Sequence, residues 1–251
     1  MTDPYTIRLR QLVGLVEEGW TDFGFLLFRT HYNDESFWNA FLEAKDQILT
    51  EAITNAPAES GLSRITDKMF LKQVSNEVLR DITPEQVAIA YRSLEDDANG
   101  GMSEDRVEPG LRTNVCLMVD EECMRSVAGW REGDEGSVPF VKAVDVILGD
   151  EEELGYSGVF RVAIQSLFTK FYVAQVECGE MVELVPAGDG VWRGMGSGGG
   201  WGLEGDGVWR WKGSGGGRGL EMDGVWRWKR SGGGSGLEVE AVWRGVVESC
   251  M

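Results

Sequence analysis

Four side chains at the ends of apolar runs have the types that chemistry uses. Arg29 and His31 close the run Phe23-Gly24-Phe25-Leu26-Leu27-Phe28, with Tyr32 beside them, and such an edge can hold an anion. Asp120 and Glu121, followed by Glu122, come directly after Val115-Cys116-Leu117-Met118-Val119, at the kind of strand end where metal-binding or acid–base carboxylates sit. These four are the candidate catalytic residues. Each has a plainer structural explanation: one titratable ring does not make a site, and acids in a first helical turn complement the helix dipole. The chain has one histidine and four cysteines, none in a CxxC pair, so no Cys/His zinc set forms at the usual spacings. Cys116 reads as a small buried hydrophobe. There is no phosphate loop, GxGxxG fingerprint, nucleophile elbow or HExxH motif, and neither a cofactor nor a metal is expected.

Positioning these groups falls to a series of short elements. Residues 23–28 are almost continuously apolar, which predicts a strand buried on both faces. Asp34 caps a helix whose apolar rows are Phe37, Phe41, Ile48, Ala52 and Trp38, Leu42, Leu49, Ile53. Residues 68–74 read as a second strand, with a helix as the alternative. Thr83-Pro84-Glu85-Gln86 is a capping box with proline at the first helical position, and an exposed acidic loop follows that helix to Pro109. Residues 113–119 predict a third strand, Asp120 starts a short helix, and a loop covers 133–137. Residues 140–148 predict a fourth strand, an acidic turn covers 149–153, and 159–176 predict one long closing helix. Residues 1–19 form an N-terminal segment with a short helix over 7–16. The expected fold of residues 20–177 is α+β, a ferredoxin-like split β-α-β sandwich with a four-stranded sheet and its helices on one face.

Residues 178–251 are a different kind of sequence. From Asp189 a motif recurs every 17 residues: Asp189-Gly-Val-Trp-Arg193, Asp206-Gly-Val-Trp-Arg210, Asp223-Gly-Val-Trp-Arg227 and the divergent Glu240-Ala-Val-Trp-Arg244. Ser-Gly-Gly-Gly follows each of the first three. The alternation has period two, so structure here means strands joined by glycine loops, with cross-strand Trp and Glu/Arg pairs. With 20 glycines in residues 189–251, the tail is expected to be flexible or weakly β. An aromatic and basic Trp-Arg-Trp-Lys surface can stack on single-stranded nucleic acid. The restricted residue set favours instead a translated G-rich minisatellite, read through past the natural end of a gene, over a selected binding array.

The whole chain carries 24 Lys+Arg and 42 Asp+Glu; residues 189–251 carry 8 of each, leaving 16 and 34 on residues 1–188, a net of −18. An acidic domain of this kind argues against nucleic acid or an anionic membrane as its partner. No signal peptide or membrane span is evident, so the expected location is the cytoplasm, with the nucleus also open.

Residues 23–176 resemble an uncharacterised family of acidic proteins from filamentous ascomycete fungi. The resemblance rests on Gly24-Phe25-Leu26-Leu27-Phe28-Arg29-Thr30-His31-Tyr32 with Trp38 after it, on Val115-Cys116-Leu117-Met118-Val119-Asp120-Glu121-Glu122-Cys123, and on Phe140-Val141-Lys142-Ala143-Val144-Asp145. That family brings no known activity. The repeat tail departs from its pattern.

The leading expectation of function is a non-enzymatic interaction protein, binding a partner or self-associating through the open face of its sheet. The competing expectations are a small enzyme using Arg29, His31, Asp120 and Glu121, and nucleic-acid binding by the tail.

Overall fold

The structure, a computed structural model, describes residues 3–94, 110–130, 137–149, 156–176, 181–186 and 190–194, and the backbone of 95–100, 131, 177, 207–211, 222–230 and 237–245. The expected acidic loop to Pro109, most of the loop at 133–137 and most of the turn at 149–153 lie outside these residues. The chain divides into two compact units, Met1–Met195 and Gly196–Met251.

The first unit opens with helix α1 (Pro4–Gly19), started by the Asp3 cap and Pro4 at its first turn. Strand β1 (Phe23–Arg29) is buried at every position. Helix α2 (Glu35–Thr54) begins where Asp34 accepts a hydrogen bond from the Phe37 amide. Strand β2 (Met69–Val74) follows, then helix α3 (Pro84–Gly100), strand β3 (Val115–Val119), helix α4 (Glu121–Arg131), and strands β4 (Phe140–Asp145) and β5 (Val159–Ala163). A 3-10 turn (Ile164–Ser166) and a π turn (Leu167–Phe171) lead into helix α5 (Tyr172–Glu177). Strand β6 (Val191–Trp192) ends the unit.

The chain is α+β, and its sheet is mixed. The order is β2-β1-β3-β4-β5-β6, with β1 parallel to β2 and to β3, β4 antiparallel to both neighbours, and β6 parallel to β5. The sheet therefore has six strands, not the four of the expected ferredoxin-like layout. Helices also cover both faces, not one. From β1 to β2 the chain steps outward; from β2 to β3 it steps back past β1. Right-handed crossovers in opposite directions place their helices on opposite faces. Trp38, Phe41, Ile48 and Leu49 of α2 thus share one core with Phe23, Phe25 and Leu27. Val87, Ala88 and Tyr91 of α3 share a second with Leu26, Phe28, Cys116 and Val144. The open sheet face expected as an interaction surface is covered by α3 over the central strands β1, β3 and β4.

Residues 159–176 are not one helix. Val159-Phe160-Arg161-Val162 alternates, with Val162 fully buried, and pairs as a strand with β4; only the residues from Ile164 onward turn helically. Short apolar runs carry both periods at once, so pairing decides between them. Composition places the start of the tail at residue 178, but the first repeat copy forms β6 within the first unit's sheet.

Close approach of backbones fixes the start of β1. Gly24 has φ +145°, and a Cβ there would meet the Phe70 carbonyl oxygen at 1.9 Å. Its amide donates to the Gly110 carbonyl at 2.9 Å. Only glycine lets β2 and the Gly110 segment close in on β1.

In the second unit, strands β7 (Gly207–Trp211), β8 (Met222–Arg230) and β9 (Leu237–Gly245) form an antiparallel sheet in that order.

Candidate functional site

The reversal of strand order between β1 and β3 is where α/β proteins bind ligands, at the carboxyl ends of the strands. Both sequence-derived pairs fall there: Arg29 and His31 at the end of β1, Asp120 and Glu121 at the end of β3. The structure brings the two pairs to neighbouring strand ends but does not join them. Among the described residues, no hydrogen bond or ion pair connects Arg29 or His31 to Asp120 or Glu121. The strand ends are instead tied together by Thr30, whose amide and hydroxyl both donate to the Val119 carbonyl, at 3.0 and 3.2 Å.

Arg29 is 4 % exposed and already engaged. Its Nε donates to the His31 carbonyl at 2.8 Å and its Nη2 to Glu35 at 2.6 Å. The guanidinium lies 4.4 Å from the Tyr32 ring centre and 4.7 Å from that of Trp38. A planar, weakly hydrated cation is the one charge that stacks on rings while keeping its in-plane donors occupied. The Arg29 hydrogen bond holds the Glu35 carboxyl below its ordinary range. His31 is half-buried beside this cluster.

Asp120 has a helix-capping role and a charge partner. Its Oδ1 accepts from the Cys123 amide at 3.1 Å, which starts α4, and its Oδ2 meets the Lys142 ammonium. Burial pushes the Asp120 carboxyl up, but the hydrogen bonds from Lys142 and the Cys123 amide outweigh it and hold the group below its ordinary value. Burial likewise pushes Lys142 down, and its bonds to Asp120 and Glu122 carry it above its ordinary value. Glu122 bridges Lys142, at 2.9 Å, and Arg161. Among the described residues, Glu121 pairs with Arg125, one turn along its own exposed helix face. Cys123 is fully buried, and burial followed by the Asp120 charge pushes its thiol far up, so it is no nucleophile. Among the described residues, no group of three His, Cys, Asp or Glu side chains is placed to hold a metal ion.

A cleft of about 590 Å³ opens elsewhere, between the start of α1, the end of α2 and the turns after β5. Its charged walls include Asp3, which caps α1, and Lys170, which donates to the Arg193 carbonyl at 3.4 Å.

Spacing and composition give no functional role to Lys142 and Arg161, which stand in the sequence only as polar interruptions of apolar runs. Nor do they single out Trp192. That ring is 4 % exposed and meets Phe171 edge-on at 5.1 Å, while the following Arg193 carbonyl accepts from Ser166 Oγ at 3.2 Å. The signal available was the glycine after Arg193, where the second and third copies carry Trp211 and Trp228.

These features define an α+β protein whose strand-end charges neutralise one another and whose sheet takes in one copy of its own repeat. Compared with known protein families, curated proteins and solved structures, the chain matches none. Among the described residues, no helix is long and apolar enough to cross a membrane.

Proposed function

We propose that the chain is a non-enzymatic, self-associating protein whose repeat strands pair between copies. One observation carries this reading: the repeats are self-complementary in register. Val208 faces Val225, and Val225 faces Val242, so the copies pair about the same residue. The motif Asp-Gly-Val-Trp-Arg has an acid two residues before valine and a base two residues after. Antiparallel pairing about valine therefore sets Asp223 opposite Arg210 on one side and Arg244 on the other. Arg227 opposite Glu240 and Lys229 opposite Glu238 extend the pattern. Opposite charges across a ladder favour pairing, and like charges oppose it.

Any second copy of the chain carries the same strands. Among the described residues, β9 pairs on one side only, and its nine residues form a long edge. Two β9 strands related by a two-fold axis about Val242 set Glu240 of each opposite Arg244 of the other, an isologous interface. Sedimentation of the full chain over roughly a hundredfold range of concentration tests this. The expected result is reversible dimer formation, weakened by Arg244→Glu. A monomer at every concentration overturns it, as does a dimer indifferent to Arg244→Glu.

A second reading, a small enzyme using Arg29, His31, Asp120 and Glu121, is favoured by the placement of both pairs at the order reversal. Its test is a screen of small anionic compounds followed on the His31 ring signals. Binding that shifts them supports an enzyme, and silence removes it.

A further inference from the structure

The outer edge of β5, with the π turn after it, forms a slot that reads four residues of extended chain. Arg161 and Val162 pair in parallel with Val191 and Trp192. The Trp192 indole is buried against Phe171, and the Arg193 carbonyl is held by Ser166 Oγ and Lys170 Nζ. The next residue, Gly194, has φ +119°, and a Cβ there would meet the Lys170 Cδ at 2.8 Å. The slot therefore selects a tryptophan followed two residues later by glycine, and takes the residues at the Val191 and Arg193 positions through their backbone. Parallel ladder bonds supply affinity, the tryptophan anchors, and the closing glycine supplies the selectivity.

Four copies of Val-Trp-Arg occur in the chain, and the glycine sorts them. The second and third are followed by Trp211 and Trp228, which would have to adopt the φ of +119° that only glycine takes without strain and would push the Lys170 side chain aside. The fourth, Val242-Trp243-Arg244-Gly245, matches at all four positions. Its one difference precedes the motif, where Ala241 stands in place of Gly190. Gly190 has φ +73°, and nothing lies within 4 Å of a Cβ built on it. Alanine there meets backbone strain but no collision, a loss of roughly tenfold in affinity. Within the tail sheet, β9 pairs with β8 alone, so its release breaks one ladder, whereas release of β8 breaks two.

We infer that this slot is a binding site for the fourth repeat, Val242–Gly245, of a second copy of the chain, in exchange for the first repeat. The inference rests on the self-association reading and adds a second, domain-directed contact to it. The first repeat holds the slot with the advantage of its tether, so exchange rises when that strand is weakened.

The test uses the full chain. Gly194→Val strains the resident strand while leaving every buried side chain in place. It is expected to raise the dimer fraction at least about tenfold at fixed concentration, and Trp243→Ala added to it is expected to abolish the gain. A labelled peptide with the sequence of residues 237–245 is expected to bind the Gly194→Val/Trp243→Ala chain saturably, and the same peptide carrying Gly245→Trp is not. Failure of the unaltered peptide to bind this chain, shown folded by circular dichroism, overturns the slot. Equal binding by both peptides overturns its selectivity for glycine. Sedimentation of the unaltered chain reports on the tail-to-tail interface, and the peptide reports on the slot, so either contact can fail alone.

Discussion

Arg29 shows how a residue with catalytic chemistry is consumed by structure. Its fork is divided between the His31 carbonyl and Glu35, and its faces between two rings. Arg29→Lys keeps the charge and loses the stacking and the in-plane donors; a stability loss of about 1–3 kcal/mol is expected by urea denaturation. Lys142 is the second such residue. Its side chain is 20 % exposed, and that of Asp120 is 24 %. Removing the ammonium strands a partly buried carboxylate, so Lys142→Met is expected to cost about 1–3 kcal/mol, less than the break of a fully buried pair.

The pair also sets a pH dependence. Asp120 is shifted below its ordinary 3.8, so its stabilising contribution is present above that value and is lost as the pH falls through the lower folded one. Lys142 is shifted above 10.5, so its contribution is present below that value and is lost as the pH rises through the higher folded one. Urea midpoints measured from acid to alkaline pH should fall at both ends, and Lys142→Met should remove the alkaline fall. An unchanged alkaline limb in that variant would show that other groups carry it.

At the scale of elements, the cap signals are legible in local sequence. Asp34 accepts from Phe37, and the Thr83–Gln86 box closes in both directions, at 2.8 and 3.4 Å, because capping is satisfied within four residues of chain. The candidate site is legible only as two strand ends. Their adjacency depends on β3 passing β1 to lie on the far side from β2, and local sequence does not encode that. Residues 159–163 read as helix for a related reason: alternation and helical spacing coexist there, and the β4 partner decides for strand. Gly24 carries the closest approach in the sheet. Gly24→Ala is expected to cost about 3 kcal/mol or more, with β2 amides losing exchange protection first, since the added methyl would have to displace the Phe70 carbonyl. Trp192→Ala should cost about 3–5 kcal/mol in the full chain, the usual range for a buried aromatic ring. A loss within experimental error would mean that β6 is not part of the stable sheet.

For the whole molecule, charge is unevenly placed. The net −18 belongs to residues 1–188, and the repeat tail is neutral. Two chains brought together through their tails therefore repel at long range through their acidic bodies. The Debye length falls from about 30 Å at 0.01 M salt to about 8 Å at 0.15 M, which screens those bodies far more than it weakens opposed charges on paired strands. Dimer formation is expected to strengthen over that range of salt. Weakening would mean that cross-strand charge pairs dominate the association.

Sequence alone determined the α+β class, the starts of α2, α3 and α4, the apolar strands β1, β3 and β4, the acid balance and the 17-residue repeat, because each is written in local spacing or composition. Tertiary structure decided what spacing cannot express. It set the six-strand order, placed α2 and α3 on opposite faces, paired Asp120 with Lys142, and built the first repeat into the sheet. These depend on contacts between residues distant in the chain. In Gly190-Val191-Trp192-Arg193-Gly194, the first repeat became a strand of the domain sheet because β5 pairs with it and Phe171 packs on its tryptophan.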